Sequence, residues 1–418
     1  MSFDQEGRNK AISDTGGQAL EGIKVADFSW VVAAPLITKC LADHGALVVR
    51  IESNARPCLL RTSAPFKDGR SGVNRSGFYA TYNTNKYSIT LDLGHSKGME
   101  VAKRLVSWAD IVAENFLPGT MERMGLGYDD LRKIKPDIIM LRASMQGQTG
   151  PRAVHPGFGT QLSALAGLSH ILGWPDREPA TVYGAYTDFI LPRFGVAALV
   201  AALAYRRKTG IGQCIDLSQY ECTISMLTPM ILDFALNNRI ANRAGNHCQY
   251  AAPHGVYRCK GNDEWCAITV FTDQQWGAFC KIAGNSGWTR DPRFATLMSR
   301  KSNEDELDRL IEQWTVNFTA VEVMTSMQAA GIAAGVVRNA EGVHNDPQLK
   351  HRHHFRNLDH PEMGIFPFES VSFRLSRTPS KMRLPSPCLG EHSEYVCTQL
   401  LGMSDQEFVE LVGAGAFG

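Results

Sequence analysis

The chain has 418 residues, 44% of them hydrophobic and 20% charged, with a formal net charge of +1. At roughly 150 residues per domain this predicts two or three domains with ample core. The near-neutral charge excludes a global pull toward nucleic acid or an acidic membrane, so an anionic ligand has to be held by a few local groups. Ten dispersed cysteines without a CxxC exclude a disulfide scaffold and read as reduced thiols of a cytoplasmic protein. The N-terminal MSFDQEGRNKAISDTGGQ is polar and lacks a signal-peptide core. No uninterrupted apolar run of about 18 residues occurs, so no membrane span is expected.

Residues 1–20 read as a flexible arm. Strand 22-GIKVADFS-29, helix 35-PLITKCLADHG-45 and strand 46-ALVVRIE-52 then make a compact βαβ unit, with Pro35 in the first helical turn and Gly45 at its end. Strand 87-YSITLDL-93 leads into helix 96-SKGMEVAKRLVSWA-109, whose Val101, Leu105 and Trp108 share a face. Strand 110-DIVAENF-116, a helix over 121–134 interrupted at Gly125–Gly127, and strand 137-DIIMLRASM-145 close the set. This alternation predicts a Rossmann-like α/β domain with a parallel sheet, without fixing the strand order.

Residues 159–238 read as mostly helical, with a short break at 213-QCIDLSQ-219. The texture then changes. Segment 255-GVYRCKGNDEWCAITV-270 reads as a hairpin turning at Gly261, Asn262 and Asp263, followed by helices over 272–284 and 303–316. The expected organisation is an arm over 1–20, a large domain over 21–238, a smaller α+β domain over 239–335, and a segment over 336–418 that returns to the large domain.

No GxGxxG follows the first strand, and neither a GxxxxGK[ST] nor a GxSxG occurs. Dinucleotide, P-loop and serine-hydrolase chemistry are therefore unsupported. The histidine run 351-HRHHF-355 lacks ligand spacing, and no metal site is assigned. Three loops, 29-SWVVAAP-35, 82-YNTNK-86 and 114-ENFLPGT-120, are placed at strand ends, where ligands of open parallel sheets gather. A helix starting near Thr120 would direct N–H groups at an anion, with Arg50, Lys86 and Arg123 adding charge. In 181-TVYGAYTDFI-190 a single acid, Asp188, sits among aromatics just before an apolar run. It reads as a helix cap, a partner of Arg193, an exposed residue or a reactive carboxylate.

Six stretches together carry a specific resemblance: 21-EGIKVADFSWVVAAP-35, 41-LADHGALVVRIE-52, 82-YNTNKYSITLDL-93, 109-ADIVAENFLPGTMERMGLGYDDL-131, 208-KTGIGQCIDLS-218 and 363-MGIFPF-368. From about Leu20 onward the chain resembles the family III CoA-transferases, the group of formyl-CoA and carnitine CoA-transferases and α-methylacyl-CoA racemases. The resemblance implies that Asp188 is the catalytic nucleophile. It implies that Val31, Val32, Ala33, Arg50, Tyr82, Lys86, Asn115, Phe116 and Arg123 line the CoA site. Phe158, Tyr183 and Tyr186 then surround the acyl group. Two departures stand out. Ser53 occupies a place often held by a basic residue, and 250-YAAPHGVY-257 stands in place of the Gly-rich lid of formyl-CoA transferases. Racemases of the superfamily use a histidine within a Gly-His-Asp motif, and 157-GFGTQ-161 has Phe158 there, which favours transfer over racemisation.

A carboxylate nucleophile splits CoA exchange into anhydride and thioester steps that need no ATP, metal or permanently bound cofactor. Coenzyme A thioesters are then the substrates. Segments 143-ASMQGQTGP-151 and 170-HILGWPDREPATVYGAYTDF-189 look closest to the succinyl-CoA:benzylsuccinate branch, so succinyl-CoA is the expected donor and an aryl dicarboxylate the expected acceptor. The alternatives are an acyl-CoA epimerase and a supporting subunit of a heteromeric transferase. The family also implies an interlocked, ring-like homodimer, or pairing with a related subunit.

Overall fold

A computed structural model of the protein describes residues 17–418. The expected N-terminal arm lies, up to residue 16, outside the described residues. Contacts divide the chain into two compact units: one runs up to Leu168 and continues through Thr181–Asn238 and Lys350–Gly418, and the other combines Ser169–Ala180 with Arg239–Leu349. A short piece before the long apolar helix thus belongs to the smaller unit, and the return to the larger unit begins at Lys350.

The larger unit is built on six parallel strands: β1 Lys24–Asp27, β2 Leu47–Glu52, β3 Lys86–Thr90, β4 Ile111–Glu114, β5 Ile139–Ser144 and β6 Cys214–Ser218. Their spatial order is β3-β2-β1-β4-β5-β6. The segment read as a break in helical structure is therefore a strand, parallel to β5 from Met140↔Cys214 to Ser144↔Ser218. Its first half lies open at the sheet edge.

Successive strand residues point to opposite faces, which divides the core in two. Ala26, Val49, Val112 and Met140 pack with Val101, Leu105 and Leu131 and with Val396 and Leu411 from the C-terminal segment. Val25, Val48, Ile111 and Ile139 pack with Ile37 and Leu41 of the Ala33–Asp43 helix and with Ile190, Leu191 and Leu199 of the Thr187–Thr209 helix. That 23-residue helix is long and apolar enough to cross a membrane by length and composition alone. Here one face of it is built into the core of the sheet domain. Gly195 permits the close approach, since a Cβ there would strike Ile37.

After residue 350 the chain adds the antiparallel pair β10 Phe355–His360 and β11 Gly364–Glu369. The smaller unit is an antiparallel sheet, β7 His254–Arg258, β8 Trp265–Thr269 and β9 Ala333–Val336, in that order. The hairpin joining β7 and β8 turns through Gly261 and Asp263, both at positive φ. Helices Asp273–Ile282, Glu304–Thr315 and Ala320–Ala329 pack on it around Phe279, Leu307, Ile311 and Val323. All ten cysteines are free thiols.

Candidate active site

The strand order reverses between β1 and β4, and the loops beyond their carboxyl ends flank that crevice, the usual ligand site of an open α/β sheet. Asn115 bonds the two loops together. Its Oδ1 accepts from the Trp30 N–H at 2.7 Å and its Nδ2 donates to the Trp30 carbonyl at 2.8 Å. Phe116 meets Trp30 edge to face at 6.2 Å. Val31 holds φ at +63°, a costly conformation for a β-branched residue. Its N–H points at the Cys58 sulfur at 3.3 Å. Val32 and Ala33, which begins the next helix, are buried. Arg123 is exposed, and its guanidinium donates to Thr120 Oγ1 at 2.9 Å. The helix expected to aim N–H groups at an anion is a single turn, Thr120–Arg123, too short to supply much of a dipole.

Two basic residues that the resemblance assigns to a CoA site are fully buried and ion-paired inside the sheet domain. Lys86 and Arg50 are both 0% exposed. Lys86 Nζ uses its three donors on Asp27 Oδ2 at 3.1 Å, the Pro35 carbonyl at 2.9 Å and Asn83 Oδ1 at 3.0 Å. Arg50 lies between Asp27 at 3.9 Å and Glu52 at 3.4 Å. Burial lowers Lys86 to about 8 despite the attraction of Asp27. Burial alone would raise Glu52, but Arg50 and Arg61 hold it at about 2. The cluster ties the 29–35 loop to the 82–86 segment from inside. That segment leads into β3 rather than following a strand, which corrects its placement from sequence.

Asp188 lies in the first turn of the Thr187–Thr209 helix, after Tyr186 at the N-cap, and makes no capping hydrogen bond. It is not paired with Arg193, whose guanidinium donates to the Phe189 carbonyl at 2.5 Å. It is not exposed either, at 7%. Burial raises its carboxyl to about 6, and a hydrogen bond from Gln219 works the other way. The helix N-terminus adds a field that favours the ionised form. Gly159 abuts the carboxylate so closely that a Cβ there would collide with Asp188 Oδ1, Ala185 and Thr187 Oγ1.

The aromatic residues singled out from sequence, Tyr82 for the CoA site and Phe158, Tyr183 and Tyr186 for the acyl group, divide by burial. Tyr82 is 8% exposed and packs edge to face on Phe189 at 6.1 Å and on Phe78 at 5.5 Å. Burial, with Glu369 and Asp188 nearby, raises its phenol far above the usual range. Tyr183 is 99% exposed, and Phe158 and Tyr186 also face outward. Sequence reasoning missed Gln219, Thr187 and Gly159. Gln219 was findable as the residue just past the carboxyl end of a strand, once 214–218 is read as one.

The sequence matches CoA-transferase family III over residues 20–393. The chain belongs to this family. It is 32% identical over 394 residues to the succinyl-CoA–D-citramalate CoA-transferase of Chloroflexus aurantiacus, covering 94% of this chain and 96% of that one. It is 31% identical to the succinyl-CoA–L-malate CoA-transferase beta subunit of the same organism, over 94% and 96% of the two chains. A CAIB/BAIF family protein from Brucella suis superimposes with a TM-score of 0.84 at 29% identity, covering 92% of this chain and all of that one. The resemblance carried by the six sequence stretches is thus a family membership. The protein is a CoA-transferase, and CoA thioesters are its substrates.

Proposed function

We propose that the enzyme moves CoA from succinyl-CoA to a dicarboxylic acid through covalent intermediates on Asp188. The observation that carries this reading is Asp188 itself: one buried carboxylate at a helix N-terminus, raised to about 6 and so ionised at neutral pH. A desolvated carboxylate is a stronger nucleophile than a solvated one, and the anhydride it forms needs protection from water. Asp188 attacks the donor thioester and releases CoA thiolate. The thiolate attacks the anhydride to give an aspartyl-CoA thioester and the donor acid, and the acceptor acid reverses both steps. The crevice loops carrying Val31, Val32, Ala33, Asn115 and Phe116 hold the CoA moiety, with Arg123 at the surface for a phosphate. Tyr82 and Phe189 form the dry wall beside the thioester, and Phe158, Tyr183 and Tyr186 close on it when substrate or a second chain covers them.

Relatives named for citramalate and malate support a dicarboxylate acceptor and succinyl-CoA as donor. Benzylsuccinate is the aryl member of the acceptor panel. A mass-spectrometric screen of acids with succinyl-CoA tests this. New acyl-CoA products confined to dicarboxylates support it, and transfer only to monocarboxylates overturns it. Epimerase activity is disfavoured because only Gln219, which is not an acid or base, hydrogen-bonds the Asp188 carboxylate among the described residues. Loss of an α-deuteron from acyl-CoA to solvent would revive it.

Assembly belongs to the same proposal. The Thr228–Asn237 helix buries none of its residues, leaving Met230, Ile231, Leu232, Phe234 and Leu236 exposed. Such a patch on a soluble chain is usually covered. A second copy of this chain, interlocked with it, or a related subunit of the kind named among the relatives, is the proposed cover. A monomeric mass by light scattering would overturn it.

A further inference from the structure

Gln219 begins the Gln219–Ser225 helix directly after β6 and is 6% exposed. Its Nε2 carries two N–H donors, and both are used at one place. One goes to Thr187 Oγ1 at 2.7 Å and the other to Asp188 Oδ1 at 2.5 Å. Thr187 Oγ1 donates in turn to the Gly159 carbonyl at 3.2 Å, so toward Gln219 it is an acceptor. An ionised carboxylate can only accept. The two partners therefore fix the amide with its nitrogen toward Asp188. Oδ1 also faces the bare Cα of Gly159. Oδ2 has no hydrogen-bond partner among the described residues. The two oxygens of one carboxylate are thus inequivalent.

We propose that Gln219 holds Oδ1 as the permanent carbonyl oxygen of Asp188, and that Oδ2 alone is exchanged during turnover. This rests on Asp188 being the nucleophile. Oδ2 bonds to the thioester carbonyl carbon, the C–S bond breaks, and its electron pair leaves on CoA thiolate. The thiolate then bonds to Asp188 Cγ, and the Cγ=Oδ1 π electrons move onto Oδ1, where Gln219 Nε2 donates to the developing oxyanion. Collapse restores Cγ=Oδ1 and breaks Cγ–Oδ2, so Oδ2 departs in the donor acid. The acceptor carboxylate next bonds to Cγ through one of its own oxygens, charging Oδ1 again, and thiolate leaves. The thiolate then takes the acceptor acyl carbon, and the bridging oxygen stays on Asp188 as its new Oδ2. No proton, oxidant or reductant is needed. Each cycle replaces one Asp188 oxygen and keeps the other, and Gln219 serves as an oxyanion donor in both attacks at Cγ.

Heavy-oxygen labelling tests this on the intact enzyme. It is run through many turnovers with succinyl-CoA and excess succinate labelled with heavy oxygen in both carboxylates, or with a labelled pair from the acid screen. Turnover is verified by label entering the thioester, and the peptide containing Asp188 is then weighed. The proposal predicts one heavy oxygen at Asp188 however long the reaction runs. Two heavy oxygens in the unmodified enzyme would overturn it while leaving the nucleophile reading intact. No heavy oxygen despite verified turnover would overturn the nucleophile reading itself. In Gln219→Met, kcat should fall by about 10²–10³-fold and the second oxygen should become labelled. A merely structural role would slow the enzyme without labelling that second oxygen. Gln219→Asn, which keeps an amide, should recover part of kcat.

Discussion

Replacing Asp188 with asparagine should abolish transfer and make the protein more stable. The residue is 7% exposed, and burial holds its carboxyl at about 6 against an ordinary 3.8. At ~1.4 kcal/mol per pH unit, keeping this group charged at neutral pH costs about 3 kcal/mol. Asparagine has nearly the same shape, and its amide oxygen still accepts from Gln219, so the substitution removes the charge and little else. The sign follows from linkage. The folded state binds the Asp188 proton more tightly than the unfolded state, so wild-type stability falls as pH rises from 3.8 through about 6. The asparagine does not titrate, and its advantage opens across the same window. Denaturant unfolding at about pH 8 should show a gain of about 2–3 kcal/mol that shrinks toward zero near pH 4. A variant no more stable than wild type at about pH 8, or a gap independent of pH, would refute the claim that the enzyme holds this charge against a desolvation cost.

The acid limb of kcat/KM should lie near pH 6, with a plateau above it, because Asp188 must be ionised to act as the proposed nucleophile; a limb near the ordinary carboxylate value would contradict the burial argument. Gly159→Ala drives a methyl group into Asp188 Oδ1 and Thr187 Oγ1, and should lower kcat at least about tenfold with ~1–3 kcal/mol of destabilisation. Normal turnover in that variant would show that the carboxylate is not held where it is described. Asn115→Ala removes both bonds to the Trp30 backbone and should raise KM for acyl-CoA more than it lowers kcat, as steady-state kinetics would reveal.

Much of the sheet domain was legible because buried parallel strands are short apolar runs. Lys24–Asp27, Leu47–Glu52, Ile111–Glu114 and Ile139–Ser144 all lie within the predicted strands. Strand order was not legible, because pairing joins segments whose local sequence says nothing about their neighbours. Cys214–Ser218 was missed for a related reason: a five-residue edge strand with an exposed first half looks like a connection. Charge was the hardest property to place. Arg50 and Lys86 read as cations for an anionic ligand, yet Arg50 sits in register with Asp27 on β1, and Lys86 reaches the same carboxylate. A partner across the sheet turned two apparent ligand groups into internal fasteners. Asp188 stood out only as a lone acid before an apolar run, and the family motifs gave it a chemical role. Gln219 is 31 positions away in sequence and meets it only through tertiary packing.

The central claim is that Asp188 carries the acyl group and then CoA. Hydroxylamine added during turnover should convert the activated carboxyl to a hydroxamate, and peptide mass spectrometry should place that mark on Asp188, only in the presence of acyl-CoA. A mark on a different carboxylate, or no mark under conditions where transfer is running, would contradict it.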